Sequence, residues 1–406
     1  MTSVRLSVKR RFSNVTRGFV DGTDRGFAAQ TFRLFANFVS VPYSLAIRFR
    51  NLLFDLGFLR EISAARPAIS VGNITLGGVG KTPFVAWLTR YCLDRGLAPG
   101  LISRGYKSAK QKRSDGNLAF EGELNDRLYS GELNDEAREL ALRFPTTPHY
   151  LGSNRALVAE TLLARRPDVD VLIFDDAHQH RRLARDLNVV LIDALNPFGG
   201  ERVVPSGFLR EPLSGLKRAN VVLLSRADML SLNERETIRQ KVLRFTTRAI
   251  WGEIAQIPQT VYWFDQSDLV RDANPQPRSR DYRSWLESEG TNRYVAFCGL
   301  GAPLGFRKTL DREGLSPTSF LTFPDHCAYE EDDYRRLEKE ADRASADGFL
   351  TTTKDLVKLK QFARRSKRTL FALGIGVAFL SGQGEFERKI QEVLAKVGRE
   401  KNAPAT

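Results

Sequence analysis

The stretch Pro67 to Thr82, PAISVGNITLGGVGKT, narrows the possible folds of this chain more than any other. Its opening, Ala68-Ile69-Ser70-Val71, has the apolar, β-branched character of a short buried strand. Gly77, Gly78 and Gly80 follow, and Lys81 and Thr82 lead into the helical pattern Pro83-Phe84-Val85-Ala86-Trp87-Leu88. Strand, glycine-rich turn and helix N-terminus, in that order, make the context of a phosphate loop. Glycines let successive backbone N–H groups turn toward an anion, and the helix dipole adds partial positive charge at the same place. Over Thr75, Leu76, Gly77, Gly78, Val79, Gly80, Lys81 and Thr82, the lysine is expected to reach the β- and γ-phosphates and the Thr82 hydroxyl to hold Mg²⁺. One departure stands out: the position five before Gly80, usually glycine, is Thr75. The expectation is a nucleoside triphosphate site; the alternative is a strand-to-helix turn that binds nothing.

The 406 residues are enough for two or three domains and a sizeable core. A net charge of +14 favours an acidic partner: nucleic acid, an anionic membrane surface or a phosphorylated substrate. No aromatic–basic motif of the nucleic-acid-binding kinds is present, so nucleic acid is not expected. Cys92, Cys298 and Cys327 have no CxxC spacing and support neither a disulfide framework nor a zinc knuckle.

Residues 1–30 form a basic arm with no apolar run close behind it, expected to be disordered. In the segment 31–66, Leu34 to Ile47 (LFANFVSVPYSLAI) is apolar and bracketed by Arg33, Arg48 and Arg50. Interrupted by Pro42, it is too short to span a bilayer. It reads either as an interfacial, membrane-docking segment or as a helix hairpin packed on the protein's own core. From 67 to 230, strands at 67–72, 99–103, 147–151, 169–175, 187–193 and 219–225 alternate with helices at 81–95, 135–143 and 154–165. That alternation predicts an α/β core, a largely parallel sheet flanked by helices, with ligands at the carboxyl ends of its strands. Residues 231–290 are more polar and read as a linker or hinge. A second, smaller α/β domain is expected over 291–406, ending in a helix at 384–397.

Other candidates lie in loops. The strand VDVLIFDD ends in Asp175 and Asp176, where a second Mg²⁺ anchor belongs. His178, Gln179 and His180 follow directly. The pentapeptide Gly122–Asp126 recurs as Gly131–Asp135, and only the second copy runs into a helix, so Asp135 is the better placed aspartate; the blander alternative is an N-cap. On spacing alone Arg210 and Glu211 form a loop ion pair, and a lone histidine such as His326 is more often structural than catalytic.

Taken together, VGNITLGGVGKTP (71–83), SRGY (103–106), NDE (134–136), DDAHQHRRLARD (175–186) and PSGFLREP (205–212), with the distal FPDH (323–326) and TTKDLVKL (352–359), resemble tetraacyldisaccharide 4'-kinase, the lipid A 4'-kinase family of Gram-negative bacteria. The resemblance runs from about residue 42 to 385, and Thr75 is what that family's pattern has. It implies a P-loop kinase that transfers the ATP γ-phosphate to the 4'-hydroxyl of an acylated glucosamine disaccharide 1-phosphate, needs Mg²⁺, and works at the cytoplasmic face of the inner membrane. It further implies that Gly78, Gly80, Lys81 and Thr82 bind ATP, that Asp135 beside Glu136 is the catalytic base, and that His326 partners it from the second domain. Asp175, Asp176, Gln179 and His180 would form the metal and active-site loop, with Arg210 and Glu211 as a further pair. Departures are Ala177 for a glycine, His178 for a more apolar residue, and Gly299-Leu-Gly-Ala-Pro303 without the family's asparagine. The rival reading is a phosphate-loop ATPase or GTPase of the partition or metal-insertion type, which would need neither lipid nor Asp135.

Overall fold

Val171–Asp175 is buried at every position, as a strand of alternating side-chain directions can be only when the sheet is covered on both faces. In a computed structural model the described residues are 26–104, 117–118, 134–271, 276–301, 303–325 and 327–401. His326, most of the basic arm and most of the 107–130 stretch, including the first pentapeptide copy, lie outside them. Among the described residues the first half contributes β1 (Ala68–Asn73), β2 (Pro99–Ser103), β3 (Asn117–Leu118), β4 (His149–Gly152), β5 (Val171–Asp175), β6 (Leu187–Asp193) and β7 (Val221–Ser225). The rest are β8 (Ile250–Trp263), β9 (Arg278–Asp281), β10 (Tyr294–Cys298), β11 (Ser319–Thr322), β12 (Gly348–Thr352) and β13 (Thr369–Ser381). They form one sheet in the order β11-β10-β12-β13-β8-β7-β6-β1-β5-β2-β4-β3, with β9 beside β8. Every neighbouring pair is parallel except β13–β8, β8–β9 and β3–β4.

The antiparallel β8–β13 seam joins two parallel half-sheets, and its register decides where a ligand can sit. β7 ends at Ser225, opposite Ile254 of β8. β12 ends at Thr352, opposite Leu373 of β13, which pairs in turn with Val261 of β8. The two half-sheets therefore turn their carboxyl ends toward each other across residues 255–260 and 374–378 of the ribbon. Residues 231–290, expected as a linker carrying a helix (232–245) and a strand or two (248–264), thus hold a strand central to the sheet.

Four helices precede β5 in the described chain: α1 (Phe27–Asp55), α2 (Lys81–Leu93), α3 (Asp135–Arg143) and α4 (Arg155–Arg165). The helix at the end of the chain, Gln383–Lys401, does not stay with the second half where the sequence put it. β13 carries the chain back, and Phe386, Ile390, Val393 and Leu394 join the first-half core with Phe84, Val85 and Leu88 of α2. Stacked and edge-on rings at Trp87, Phe379 and Phe386 close that contact.

α1 overturns the hairpin reading: it is one helix of 29 residues with Pro42 inside it. The proline removes one backbone donor, yet tertiary anchors hold the helix on both sides of it. Ala36 and Ile47 are buried; Ser206 donates to Ser40 Oγ at 3.1 Å, and Arg202 to Asn37 at 3.0 Å. Arg181 donates to the Asn51 carbonyl at 2.8 Å and to Asp55 at 2.7 Å. The outer face carries Leu34, Phe35, Phe38, Val41, Leu45, Phe49 and Leu52, all exposed. No helix among the described residues is long and apolar enough to cross a membrane.

Candidate active site

The phosphate loop leaves β1 and enters α2 through Gly80, whose φ is 87°. A Cβ there would lie 1.8 Å from the side-chain nitrogen of Gln256 on the β8 ribbon, so both conformation and space demand glycine. Thr75 has a different task. It is buried and forms an antiparallel bridge with Leu209; the Leu76 N–H donates to the Phe208 carbonyl at 2.7 Å and the Arg210 N–H to that of Ile74 at 2.8 Å. A bridge in extended backbone suits a β-branched residue, and it stitches the PSGFLREP segment along the loop.

That stitch sets Arg210 beside Asp176. Arg210 Nη1 donates to both carboxylate oxygens at 2.7 and 2.9 Å, while Lys81 Nζ lies 3.3 Å from Asp176 Oδ1 and 3.2 Å from Asn73 Oδ1. Burial by itself would raise Asp176, but Lys81 and Arg210 more than offset it and hold the carboxyl far below the usual range. Asp175, one residue earlier, differs. It is buried, and its Oδ1 has no hydrogen-bond partner among the described residues. Burial pushes it up to about 6; Lys81 opposes that and the charges of Asp176 and Glu136 add to it. Arg155 reaches only the main chain here, donating to the carbonyls of Asp175 and Asp176 at 3.3 and 3.0 Å.

An orphaned buried carboxylate oxygen beside a phosphate loop is a fit for a divalent cation. The described residues hold no group of three His, Cys, Asp or Glu side chains placed to hold a metal ion. Mg²⁺ in a phosphate loop does not need one, because it takes oxygens from a hydroxyl, a carboxylate, phosphates and water. Asp175 and Thr82 match that donor set, whereas Asp176 is spent on two cations.

Glu211 is fully buried and wholly engaged: Arg218 donates to its two oxygens at 2.8 and 2.7 Å, Gln179 at 3.0 Å, and Asn51 of α1 at 3.4 Å. His178 Nε2 lies 3.4 Å from it, and His178 is itself buried and held at about 4, neutral, by burial. The polar departure at 178 is thus a packing solution between β1 and Glu211. His180 faces the cavity and is also lowered to about 4 by burial, with Arg155 and further arginines adding to the shift.

α3 brings in the second half. Its N-cap is Asn134, which accepts from the Ala137 N–H, so Asp135 is the first helical residue and not the cap. Asp135 Oδ2 lies 3.3 Å from Lys358 and Glu136 Oε1 3.5 Å from Lys354. Thr353 donates to Glu139 at 2.9 Å and Arg143 to the Ile375 carbonyl at 2.6 Å.

One cavity of about 970 Å³ lies between the facing carboxyl ends. Leu76, Gly77, Gly78, Val79, Gly80, Lys81, Thr82, Glu136, Asp175, Asp176, Gln179, His180, Arg210 and Glu211 all line it; Thr75 and Asp135 are buried and do not, Asp135 falling between the lining residues Asn134 and Glu136. His326 lies outside the described residues, and its neighbour Asp325 lines the wall. The sequence reading assigned no role to Lys354, Lys358, Arg155, Arg226 or Gln256. Arg226 braces the loop, donating to the Gly78 carbonyl at 3.0 Å and to Asp193 at 2.9 Å. Its place at the end of an apolar strand was the available signal; Gln256, in mid-strand, offered none.

The sequence pattern of LpxK, tetraacyldisaccharide-1-P 4'-kinase, matches residues 32–395. The chain is 34% identical over 341 residues to a tetraacyldisaccharide 4'-kinase of Halothermothrix orenii, covering 83% of this chain and 86% of that protein. It is 36% identical over 325 residues to one of Geobacter metallireducens, covering 79% and 87%. Among solved structures it is similar to the "apo" form LpxK from Aquifex aeolicus in complex with ATP, with a TM-score of 0.65 and 28% identity over 88% of this chain and 97% of that one. A likeness of that extent sets aside the partition-type alternative: the chain belongs to the tetraacyldisaccharide-1-P 4'-kinase family.

Proposed function

We propose that the cavity between the two half-sheets transfers the γ-phosphate of ATP to the 4'-hydroxyl of an acylated glucosamine disaccharide 1-phosphate. The observation that carries this reading is the meeting of Lys81, Asp175, Asp176 and the α3 N-terminus from the first half with Lys354 from the second in one cavity. Lys81 exchanges its contacts with Asp176 and Asn73 for the phosphates, and the amides of Gly77 to Thr82 cradle them. Thr82 and Asp175 would hold Mg²⁺, whose charge, when bound, offsets that developing on the phosphate oxygens. Asp176 keeps Arg210 and Lys81 aimed at the site, and Gln179, His180 and Glu211 hold the shape of the loop. Asp135 accepts the proton of the attacking hydroxyl on a carboxylate oxygen, with His326 as the partner that orients it. The β8–β13 ribbon is the hinge across which the halves close.

The acyl chains come from a bilayer, and α1 is the docking element at the cytoplasmic face of the inner membrane. Each exposed leucine or phenylalanine transferred to lipid contributes about 1.5–3 kcal/mol, against roughly 1 kcal/mol for a cation near an anionic leaflet. The apolar stripe, more than Arg33, Arg48 and Arg50, therefore sets the affinity. The test is incubation with γ-labelled ATP, Mg²⁺ and the acylated disaccharide 1-phosphate. A labelled bis-phosphorylated lipid, absent with Asp135→Ala, is the expected product. Label released only as inorganic phosphate refutes the reading.

A further inference from the structure

The segment Thr352–Leu359 closes β12 and runs over the short helix Thr353–Leu356, and nothing above gives its two lysines a task. Both reach out of the second half to the first two residues of α3. Lys358 Nζ lies 3.3 Å from Asp135 Oδ2 and 3.1 Å from Asp355 Oδ1, with the Tyr329 ring 5.6 Å away. Its side chain is 8% exposed and that of Asp135 12%, so solvent screens the pair little. Asp355 is fully buried and fixed in turn: it accepts from the Gly299 N–H at 3.0 Å and from the Thr352 hydroxyl at 2.8 Å. The Gly299 turn, Asp355, Lys358 and Asp135 thus form one chain of contacts across the cleft. Lys354, one helical turn earlier, ties Glu136 at 3.5 Å to Asp325 at 3.4 Å, next to position 326.

We propose that Lys358 is a positioning residue for phosphoryl transfer, holding the Asp135 carboxylate ionised and aimed at the acceptor hydroxyl, with Lys354 locking Glu136 and the Phe323–Asp325 turn to the same helix end. The proposal rests on Asp135 being the proton acceptor. The geometry favours this task over phosphate binding for Lys358, because its ammonium already lies between carboxylates of opposite halves, donating to Asp135 and ion-paired with Asp355. The cations facing Asp135 are Lys358 and Lys354 from the second half and Arg138 from α3 itself; the acids around them are Glu136, Asp325 and Asp355. Removing Lys358 takes away a cation in direct contact with Asp135. Its carboxylate then binds protons more readily, and less of it is in the accepting form at a given pH.

Steady-state kinetics of the full-length protein test this. Lys358→Met is expected to lower kcat about 10- to 100-fold and leave KM for ATP within about twofold. It also moves the acid limb of the kcat–pH profile up by about one pH unit. Lys358→Arg restores the limb and most of kcat. In an Asp135→Ala background the Lys358→Met change costs less than about twofold further, as members of one unit do. Wild-type kcat and an unmoved acid limb in Lys358→Met overturn the proposal, as do fully additive losses in the double variant. Should Lys358→Met lack a cooperative melt, Lys354→Met and Lys358→Arg carry the same comparison through their pH profiles. Wild-type turnover in Asp135→Ala alone refutes the base assignment instead, so the two failures are told apart.

Discussion

The two carboxyl-end faces that meet at the cavity are built differently. The first-half face is a closed charge lattice: Asp176 with Lys81 and Arg210, Glu211 with Arg218 and Gln179, and Arg226 on the Gly78 carbonyl. Asp176 and Glu211 are paired with cations, whereas Asp175 Oδ1 is a carboxylate oxygen with no hydrogen-bond partner among the described residues. The second-half face contributes few charges, and its lysines find their carboxylates on α3, across the cleft. The difference suggests a division of labour. A preorganised lattice suits a triphosphate and a cation of fixed geometry, while contacts that span the cleft suit a step that occurs only when the halves are together.

The largest break of this comparison is expected from Lys81→Ala. It removes the cation proposed to meet the transferring phosphate, and turnover should fall ~10²–10³-fold or more, with ATP affinity lost alongside. Intact ATP affinity by calorimetry would contradict the division. This contrasts with the lysines of the second half, whose loss is expected to spare ATP affinity.

Asp175→Asn sharpens the same contrast in two opposed readouts. Its folded value, about 6, lies above the ordinary 3.8, so between those two the native state holds a proton that the unfolded chain has released. Stability accordingly falls as pH rises through that window, and above it the buried charge opposes folding. The asparagine variant should therefore melt higher than wild type in nucleotide-free solution at pH 7.5, by on the order of 1–3 kcal/mol, while losing activity. A lower melting point would show that the carboxylate is satisfied by a partner. Wild-type turnover should also decline as pH drops below about 6.

The smallest effect on chemistry and the largest on location belongs to α1. Phe38→Asp with Phe49→Asp should abolish co-sedimentation with anionic vesicles and leave kcat on detergent-dispersed substrate within about threefold, since neither side chain reaches the cavity. Arg48→Ala should weaken binding by no more than about fivefold, the worth of roughly 1 kcal/mol. Equal losses from the two variants would make the contact electrostatic.

Much of this was legible in order along the chain. The first-half strands and helices fall within two or three residues of their expected places because buried parallel strands are short apolar runs and the helices between them carry clear periodicity. In the second half β10, β11 and β12 followed the same rule, while β13 runs on to Ser381, well past the apolar run Thr369–Leu373 that reads as a strand. Legibility failed at α1, where Pro42 argued for an interruption, and at the final helix, which contiguity assigned to the second half. In both places long-range contacts outweighed the local signal: Ser206 and Arg202 hold α1 before its proline and Arg181 holds it after, and Phe386 and Ile390 pack into the core with Phe84.

The amino-acid sequence alone determined the phosphate loop, the acidic strand end after β5 and the alternation that makes a parallel sheet, because each is written in residues close together, governed by backbone sterics and burial. Only the tertiary structure decided that β8 and β13 turn two sets of strand ends toward one cavity, that Asp175 is left orphaned while Asp176 is spent, and that Lys354 and Lys358 meet α3 from more than two hundred residues away. Register and charge pairing across such separations depend on where whole elements pack, and no local pattern encodes that.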